Sequence, residues 1–467
     1  MNLEPEVLEN RLFDEINIGD TAALSRTLTE HDIQAFAAVS GDMNPAHLDA
    51  EYAANTPLHG IVGHGMWTSS LISTLLGTRF PGPGTIYLNQ TLQFLRPVHI
   101  GDTVTVSLQV TQKITENKHV IMACRVTNQK GTVVLEGQAT VLAPMSKVRR
   151  PLASVPRVQL FDPIARMAAL LGLGKNLEPI RCGVVHPCDA DSLRGAIEAA
   201  QQNLIVPILI GPESKIRSTA ESEGIDLTGL QILAAAHSHE AAQLASQMAG
   251  NGEFEGLMKG SLHTDELMHE VVINKALRTK HRLSHVFRFD VPLYDRPVFI
   301  SDAALNIKPD LMAKVDIVQN AINLCHILGN ERPDVAILSA VETVNPNIPS
   351  TIDAAALCKM ADRGQITGGR LDGPLAFDNA VSAKAAQIKH IESMVAGHAD
   401  VFIVPDLESG NMLSKQLEYL AGASGSGVVM GARVPIALTS RADGADTRMA
   451  SALLMKMIAH HYRNHRP

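Results

Sequence analysis

Near residue 150 the chain changes the kind of structure it can form, and that change restricts the fold more than any other feature. Ala143-Pro144-Met145-Ser146-Lys147-Val148-Arg149-Arg150-Pro151 interrupts what precedes it with two prolines and a basic run that reads as a solvated linker. Proline removes a ladder donor and turns the residue before it away from helix. Ahead of this break, Thr85 to Leu95, Thr103 to Ile114, His119 to Asn128 and Thr132 to Leu142 are β-rich runs. Gly101-Asp102, Glu116-Asn117 and Lys130-Gly131 mark turns between them. Alternation at Val104, Val106, Leu108 and Val110 gives one buried face of an antiparallel sheet. Behind the break, short apolar strands alternate with helices, the pattern of a parallel α/β architecture with both faces covered. The expected organisation is one domain over residues 10–145, a linker over 146–160 and a second domain over 161–467.

The balance of residues excludes several classes of function. Hydrophobic residues make up 45% of the 467 and charged ones 19%, enough apolar material for a core in each part. The formal net charge is −8, the wrong sign for a general nucleic-acid or anionic-membrane footprint. Aromatic residues amount to 4%, too few for base-stacking platforms. Cys124, Cys182, Cys188, Cys325 and Cys358 form no C-x-x-C pair and read as reduced thiols. Cys182 and Cys188 flank His186 without a second ligand pair, so no metal is expected. The opening MNLEPEVLENRLFDE is acidic, unlike a signal peptide, and no apolar run reaches the ~18 to 20 residues of a membrane span. These features predict a soluble cytoplasmic protein with no nucleic-acid or membrane partner.

In the first part, Ser40-Gly41-Asp42-Met43-Asn44-Pro45-Ala46-His47-Leu48-Asp49 sets an acid and an imidazole five residues apart. That is too far for one helical face, but the intervening Asn-Pro favours a turn that folds both side chains back toward one point. A carboxylate and a His converging there can hold one water and move its proton, as hydration or hydrolysis requires. The same residues also suit a plain turn, with Asp42 capping the next helix and His47 exposed. Farther on, the glycines of Leu58 to Gly65 stop abruptly, and Leu71, Ile72, Leu75 and Leu76 repeat at helical spacing. This helix is otherwise small-residued and suited to burial. Its Gly-rich start leaves backbone N–H groups open to an oxyanion. One such helix followed by four strands fits a sheet wrapped around a helix.

GDMNPAHLD, then GHGM at a helix start, then YLNQTLQFLRPVHIGDTVTV, resembles the MaoC-like (R)-specific enoyl-CoA hydratases of hot-dog fold, over residues 10 to 145. The resemblance implies that Asp42 and His47 activate the water that adds across a trans-2-enoyl-CoA. It implies that Gly65 donates its backbone N–H to the thioester carbonyl, where an enolate-like transition state gathers charge. Asn44 is counted with the substrate-binding residues, although it also suits shaping the turn. Hot-dog domains usually pair, so the resemblance implies a homo-oligomer, a dimer or higher.

In the second part, expected strands include Cys182 to His186, Val206 to Ile210, Leu230 to Ala234, Ser284 to Phe289, Val298 to Ser301, Val335 to Leu338, Val401 to Val404 and Ile436 to Thr439. Leu311 to Leu328 and Ala383 to Ala396 are expected helices. Neither a GxGxxG after a strand nor a GxxxxGK[ST] is present, so dinucleotide and P-loop readings lack their fingerprints. Three segments carry chemistry. Leu438-Thr439-Ser440-Arg441-Ala442-Asp443-Gly444-Ala445-Asp446 offers a hydroxyl, a guanidinium and two acids in a small-residue loop, suited to a phosphate or equally to a capped helix start. Leu277 to His285 is densely cationic, suited to phosphates or to ordinary surface charge. Thr367 to Pro374 with Asp378 reads as a Gly-rich loop ending in an acid, or as a surface turn.

VVHPCDADSLRGAIEAAQQ, LRTKHRLSHVFRFD, ISDAALNIKPD, SAVETVNPNIPSTIDA, GPLAFDNAVS, VPDLESGNMLSKQLEYLAGA and VPIALTSRADGAD together resemble the phosphate acetyltransferase/phosphate butyryltransferase family, over residues 160 to 465. The resemblance implies an α/β domain of two subdomains, isocitrate/isopropylmalate dehydrogenase-like, behind the α+β hot-dog domain. It implies transfer of an acyl group between CoA and inorganic phosphate, without metal, bound cofactor or covalent enzyme intermediate. Ser440 and Arg441 then contact the oxyanion and phosphate, and Asp446 or Asp443, with Asp446 preferred, takes the CoA thiol proton in the reverse direction. Arg282, Ser284, Gly373 and Asp378 complete the expected substrate-binding set. The expected partners are acyl-CoA, CoA and inorganic phosphate. Two rival expectations are a transferase whose hot-dog domain serves only for dimerisation or acyl-CoA binding, and a non-catalytic acyl-CoA scaffold.

Overall fold

The structure is a computed structural model of the chain and describes residues 7–151, 161–439 and 444–467. It divides into two compact units, Met1–Leu160 and Phe161–Pro467.

The first unit is an antiparallel sheet around one helix. The strands lie in the order Thr21–Thr27, Thr103–Ile114, His119–Thr127, Val133–Leu142 and Ile86–Phe94. Four of these were legible in the sequence. The fifth, Thr21–Thr27, was not, because TAALSRT carries one large apolar side chain and depends on its pairing with Thr103–Gln109. The helix Gly65–Thr78 crosses the concave face, where Trp67, Leu71, Ile72, Leu75 and Leu76 meet Val104, Val106, Leu108 and Val110 in one core. Truncating a buried leucine such as Leu75 to alanine costs about 2–5 kcal/mol in such a setting. At Gly137 an added Cβ would lie 1.9 Å from the Thr91 carbonyl oxygen, so the close approach of the two neighbouring strands requires glycine.

The expected linker over 146–160 is corrected at its start. Arg149–Pro151 is a strand paired antiparallel with Val7–Glu9, although it reads as a basic run. The buried Asn10 explains the attachment: its amide donates to the Pro83 and Ser146 carbonyls, and its Oδ1 accepts the Val148 N–H at 2.9 Å. A buried amide with every group paired is a strong local tether.

The second unit is built on an eleven-stranded sheet. Gln231–Ala234, Ile205–Gly211, Ile180–Val185, Gly256–Lys259 and Ile436–Ala437 form one parallel block. Val298–Ser301, Val401–Ile403, Asp334–Leu338 and Arg370–Leu375 form a second. Ser284–Asp290 and Ser424–Met430 join them, antiparallel to one another, the first antiparallel to the second block at Val298–Ser301 and the other antiparallel to the first block at Ile436–Ala437. The expected all-parallel architecture is therefore corrected to a mixed sheet. The missed strand Ser424–Met430 reads SGSGVVM, too rich in glycine to signal a strand by itself. The C-terminal helix Ala445–Asn464 places Leu453 and Met455 in one core and Leu454 and Ile458 in another, so it packs under both blocks.

Two further expectations change. The helix read from Ala383 to Ala396 ends at Ile388, because His390 takes a left-handed φ of 54° and Ser393 Oγ accepts the N–H groups of Val395 and Ala396. The Gly-rich loop before Pro374 is the sheet-edge strand Arg370–Leu375, locked by a bidentate pair from Arg370 Nε and NH2 to Asp334 at 2.6 and 2.8 Å.

Candidate functional sites

The acid–imidazole turn is assembled from short-range signals. The helix Glu30–Ser40 is capped by Thr29 and stops at Gly41, whose φ of 76° suits glycine. Asn44 then caps the short helix Pro45–Leu48, its Oδ1 accepting the Ala46 N–H at 3.1 Å, while Asp42 Oδ1 accepts the Asn44 N–H at 3.3 Å. Asn44 therefore shapes the turn. His47, half-buried, is held by a 2.8 Å bond between Nδ1 and the Val62 carbonyl. A carbonyl can only accept, so Nδ1 carries a proton in this bond, and in the neutral imidazole Nε2 is the nitrogen with the lone pair.

A second imidazole stands beside it. His64 is buried, its ring centroid 3.9 Å from that of His47, and its Nε2 donates to the Asp42 backbone carbonyl at 3.0 Å. One side-chain ligand atom each of Asp42, His47 and His64 lies within 4.8 Å of the others, a spacing that one water can bridge. His64 was not singled out in the sequence. Its place before Gly65 was the available signal, and it is the N-cap residue of the helix Gly65–Thr78. Gly65 is the first residue of that helix, so its N–H lies outside the helical ladder. An added Cβ there would meet the Phe94 ring at 3.0 Å, so glycine keeps the approach open.

In the second unit, Ser440, Arg441 and Asp443 lie outside the described residues. Their neighbour Thr439 is buried, accepting from Arg448 NH1 at 2.8 Å through its hydroxyl and from Lys259 Nζ at 3.2 Å through its carbonyl. Thr439 borders a cavity of about 390 Å³ that Lys259, His263, His285, Asn411 and Lys415 also line. A larger cavity, about 800 Å³, has an apolar wall of Met268, Leu277 and Leu305 with Arg278, His281 and Arg282 around it. Thr264 and Ala304 border both cavities, so the two are contiguous.

The expected residues divide between these cavities and the scaffold. Arg282 lines the larger cavity, its Nε donating to Asn306 Oδ1 at 2.6 Å. Ser284 does not: it is fully buried, and its hydroxyl accepts from Asn320 Nδ2 at 2.8 Å. Gly373 is required by packing, since an added Cβ would lie 2.8 Å from Ile337. Asp378 is exposed and pairs with Lys389 at 3.1 Å. Asp446 is exposed in the first turn of the helix Ala445–Asn464, where an acid complements the dipole. The thiols are poor nucleophiles: burial pushes Cys188 up to about 11 and Cys358 up to about 12, and raises Cys124, Cys182 and Cys325 as well.

Comparison with known proteins agrees with this division. Residues 17–131 match the family described as MaoC like domain, and residues 234–456 match Phosphate acetyl/butaryl transferase. The chain is 60% identical over 277 residues to the phosphate acetyltransferase of Rhizobium meliloti, a match covering 59% of this chain and 88% of that protein. It is 38% identical over 287 residues to the phosphate butyryltransferase of Clostridium acetobutylicum, covering 61% and 95% respectively. The branched-chain phosphotransacylase from Enterococcus faecalis V583 matches in structure with a TM-score of 0.53 at 26% identity, over 60% of this chain and 99% of that one. The R-hydratase PhaJ1 from Pseudomonas aeruginosa is 44% identical over 33% of this chain and 100% of that one, with a TM-score of 0.33. The chain belongs to the phosphate acetyl/butyryl transferase family and carries a MaoC-like domain ahead of the transferase part.

Proposed function

We propose that the chain is a bifunctional acyl-CoA enzyme. Its first unit adds water to trans-2-enoyl-CoA to give (R)-3-hydroxyacyl-CoA, and its second exchanges an acetyl or butyryl group between CoA and inorganic phosphate. The observation that carries the hydratase reading is the tautomer of His47. With Nδ1 spent on the Val62 carbonyl, Nε2 is the lone pair that can take a proton from water beside Asp42. The hydroxide oxygen bonds to C3, the thioester carbonyl collects the charge opposite the Gly65 N–H, and C2 receives the proton. No bound cofactor enters either step.

The transferase reading rests on the relatives and on the two contiguous cavities. The larger, apolar with a cationic rim, suits the nucleotide and pantetheine of CoA. The smaller, bordered by Thr439 next to Ser440 and Arg441, suits the thioester and phosphate. The two parallel blocks of the sheet are read as the two subdomains of an isocitrate/isopropylmalate dehydrogenase-like fold, and the chain as a cytoplasmic homo-oligomer.

Loss of enoyl absorbance on adding crotonyl-CoA tests the first activity, and a folded protein that leaves it unchanged sinks that reading. Phosphate-dependent release of CoA from acetyl- or butyryl-CoA tests the second, with Arg441→Ala as the variant expected to lose it by about 10²–10³-fold.

A further inference from the structure

His64 has no part in the hydration chemistry assigned above, yet it meets each of the groups that do. It is buried, whereas Asp42 is exposed and His47 half-buried. Asp42 lies between the helices Glu30–Ser40 and Pro45–Leu48, so neither packing nor a helical ladder fixes its main chain. What fixes it is the His64 ring, whose Nε2 donates to the Asp42 carbonyl at 3.0 Å across 22 positions of the chain. The ring's other nitrogen, Nδ1, is buried and has no hydrogen-bond partner. Burying a polar atom unpaired costs about 1–3 kcal/mol, and such exceptions call for a reason. An apolar side chain would fill the same space without that cost, so the bond at Nε2 is what an imidazole adds here.

The segment that carries His64 is held on its other sides. The Gly63 N–H donates to the Val98 carbonyl at 2.8 Å, and the His64 carbonyl accepts the Trp67 N–H at 3.0 Å. Leu28 packs so closely that a Cβ on Gly63 would lie 2.6 Å from its side chain. Two more bonds cross from this segment to the acid–imidazole turn: His47 Nδ1 donates to the Val62 carbonyl at 2.8 Å, and the Val62 N–H donates to the Ala46 carbonyl at 3.4 Å. Those two hold the His47 end of the turn. The His64 bond holds the Asp42 end.

Hydration needs the acid, the base and the oxyanion donor in one fixed arrangement, and a displacement of about 1 Å can cost about 10²-fold in rate. Gly65, whose N–H faces the oxyanion in the hydratase reading, is the next residue after His64. We propose that His64 is a positioning residue for hydration: through the Asp42 carbonyl it sets the acid relative to His47 and to the Gly65 N–H. It carries no proton and touches no substrate, so its burial is no obstacle to the role. The assignment rests on the hydratase reading above.

The test compares two amides at this position in the full chain, by hydration of crotonyl-CoA. Gln carries its Nε2 to about the place of the imidazole Nε2 and keeps the donor. Asn ends a methylene short of it, yet suits the helix N-cap that residue 64 forms. His64→Asn should lower kcat about 10²-fold with KM for crotonyl-CoA within about threefold, whereas His64→Gln should keep kcat within about fivefold of wild type. A merely structural role would lower the unfolding temperature of both variants and leave kcat of the folded protein unchanged. His64→Leu, similar in volume and without a donor, should repeat the Asn loss, and it decides the matter if the Asn variant does not fold. Donor-free variants with kcat within about twofold of wild type overturn the proposal, as does a Gln variant as impaired as the Asn one. A wild-type chain that left crotonyl-CoA unchanged would remove the hydratase reading and this role with it. Active wild type beside unimpaired donor-free variants removes His64 alone.

Discussion

Each unit contains an acid and an imidazole close together, and the two pairs are built in opposite ways. In the first, Asp42 and His47 lie on one turn, exposed and half-exposed, and His47 Nδ1 is taken by the Val62 carbonyl, which leaves Nε2 outside that bond. In the second, Asp302 and His285 are separated by 17 residues and both buried, and the carboxylate is consumed by backbone N–H groups. The first acid is available to share a proton-transfer task with its imidazole. The second acts at a distance, through its charge and by anchoring the strand that bears His285.

The largest expected effect separates the two pairs functionally. His47→Gln should lower crotonyl-CoA hydration by about 10²–10⁴-fold while phosphate-dependent CoA release stays at the wild-type rate. Equal loss of both activities would break the assignment of separate sites.

A smaller effect is expected at Gly427. Gly427→Ala drives a methyl into the His285 ring, which is 2.6 Å from the position of that Cβ. Overpacking of this kind costs about 1–3 kcal/mol, read as a lower unfolding temperature of the second unit. Unchanged stability would mean that the ring has room to move.

The buried imidazole also predicts a pH dependence. The unfolded chain protonates His285 near its ordinary value of 6.5, whereas the folded chain resists until lower pH because burial disfavours the cation. Between those two values the unfolded state binds more protons, so stability rises with pH and is lost as pH falls below 6.5. The slope approaches about 1.4 kcal/mol per pH unit, and His285→Gln should flatten it in denaturant titrations at stepped pH. A slope identical in the two proteins would contradict the burial of a neutral ring.

The smallest effects concern residues that the structure assigns to scaffolding. Asn44→Ala should cost about 1 kcal/mol through loss of the cap, and hydration should weaken only as far as the turn loosens. Asp378→Asn, at an exposed ion pair, should leave CoA release unchanged; a large loss there would return that acid to the substrate-binding set.

The readable part of the molecule is the part whose signals are local. Gly41, Asn44 and Pro45 specify a turn within a few residues, and that turn carries Asp42 and His47. The alternation of Val104, Val106, Leu108 and Val110 marks a sheet face without reference to any partner. His64 escaped notice because its role depends on a close, tilted contact with a ring 17 positions away in the chain. Ser284 was misassigned because a hydroxyl beside basic residues suits a phosphate site equally well, and only the sheet shows it turned toward Asn320. Gly373 suited a ligand loop in the sequence, and only the sheet shows that Ile337 on the adjacent strand also demands glycine there.

The sequence by itself determined the two-part division, the acid–imidazole turn and the family resemblance of each half, because short-range periodicity and ordered motifs survive without coordinates. Tertiary structure decided the mixed direction of the eleven-stranded sheet, the strand made from the supposed linker at Arg149–Pro151, and the cavity that encloses His285. Each of these depends on which distant backbone supplies the hydrogen bonds or excludes the water, and a pairing of that kind leaves no periodic trace in the residues that make it.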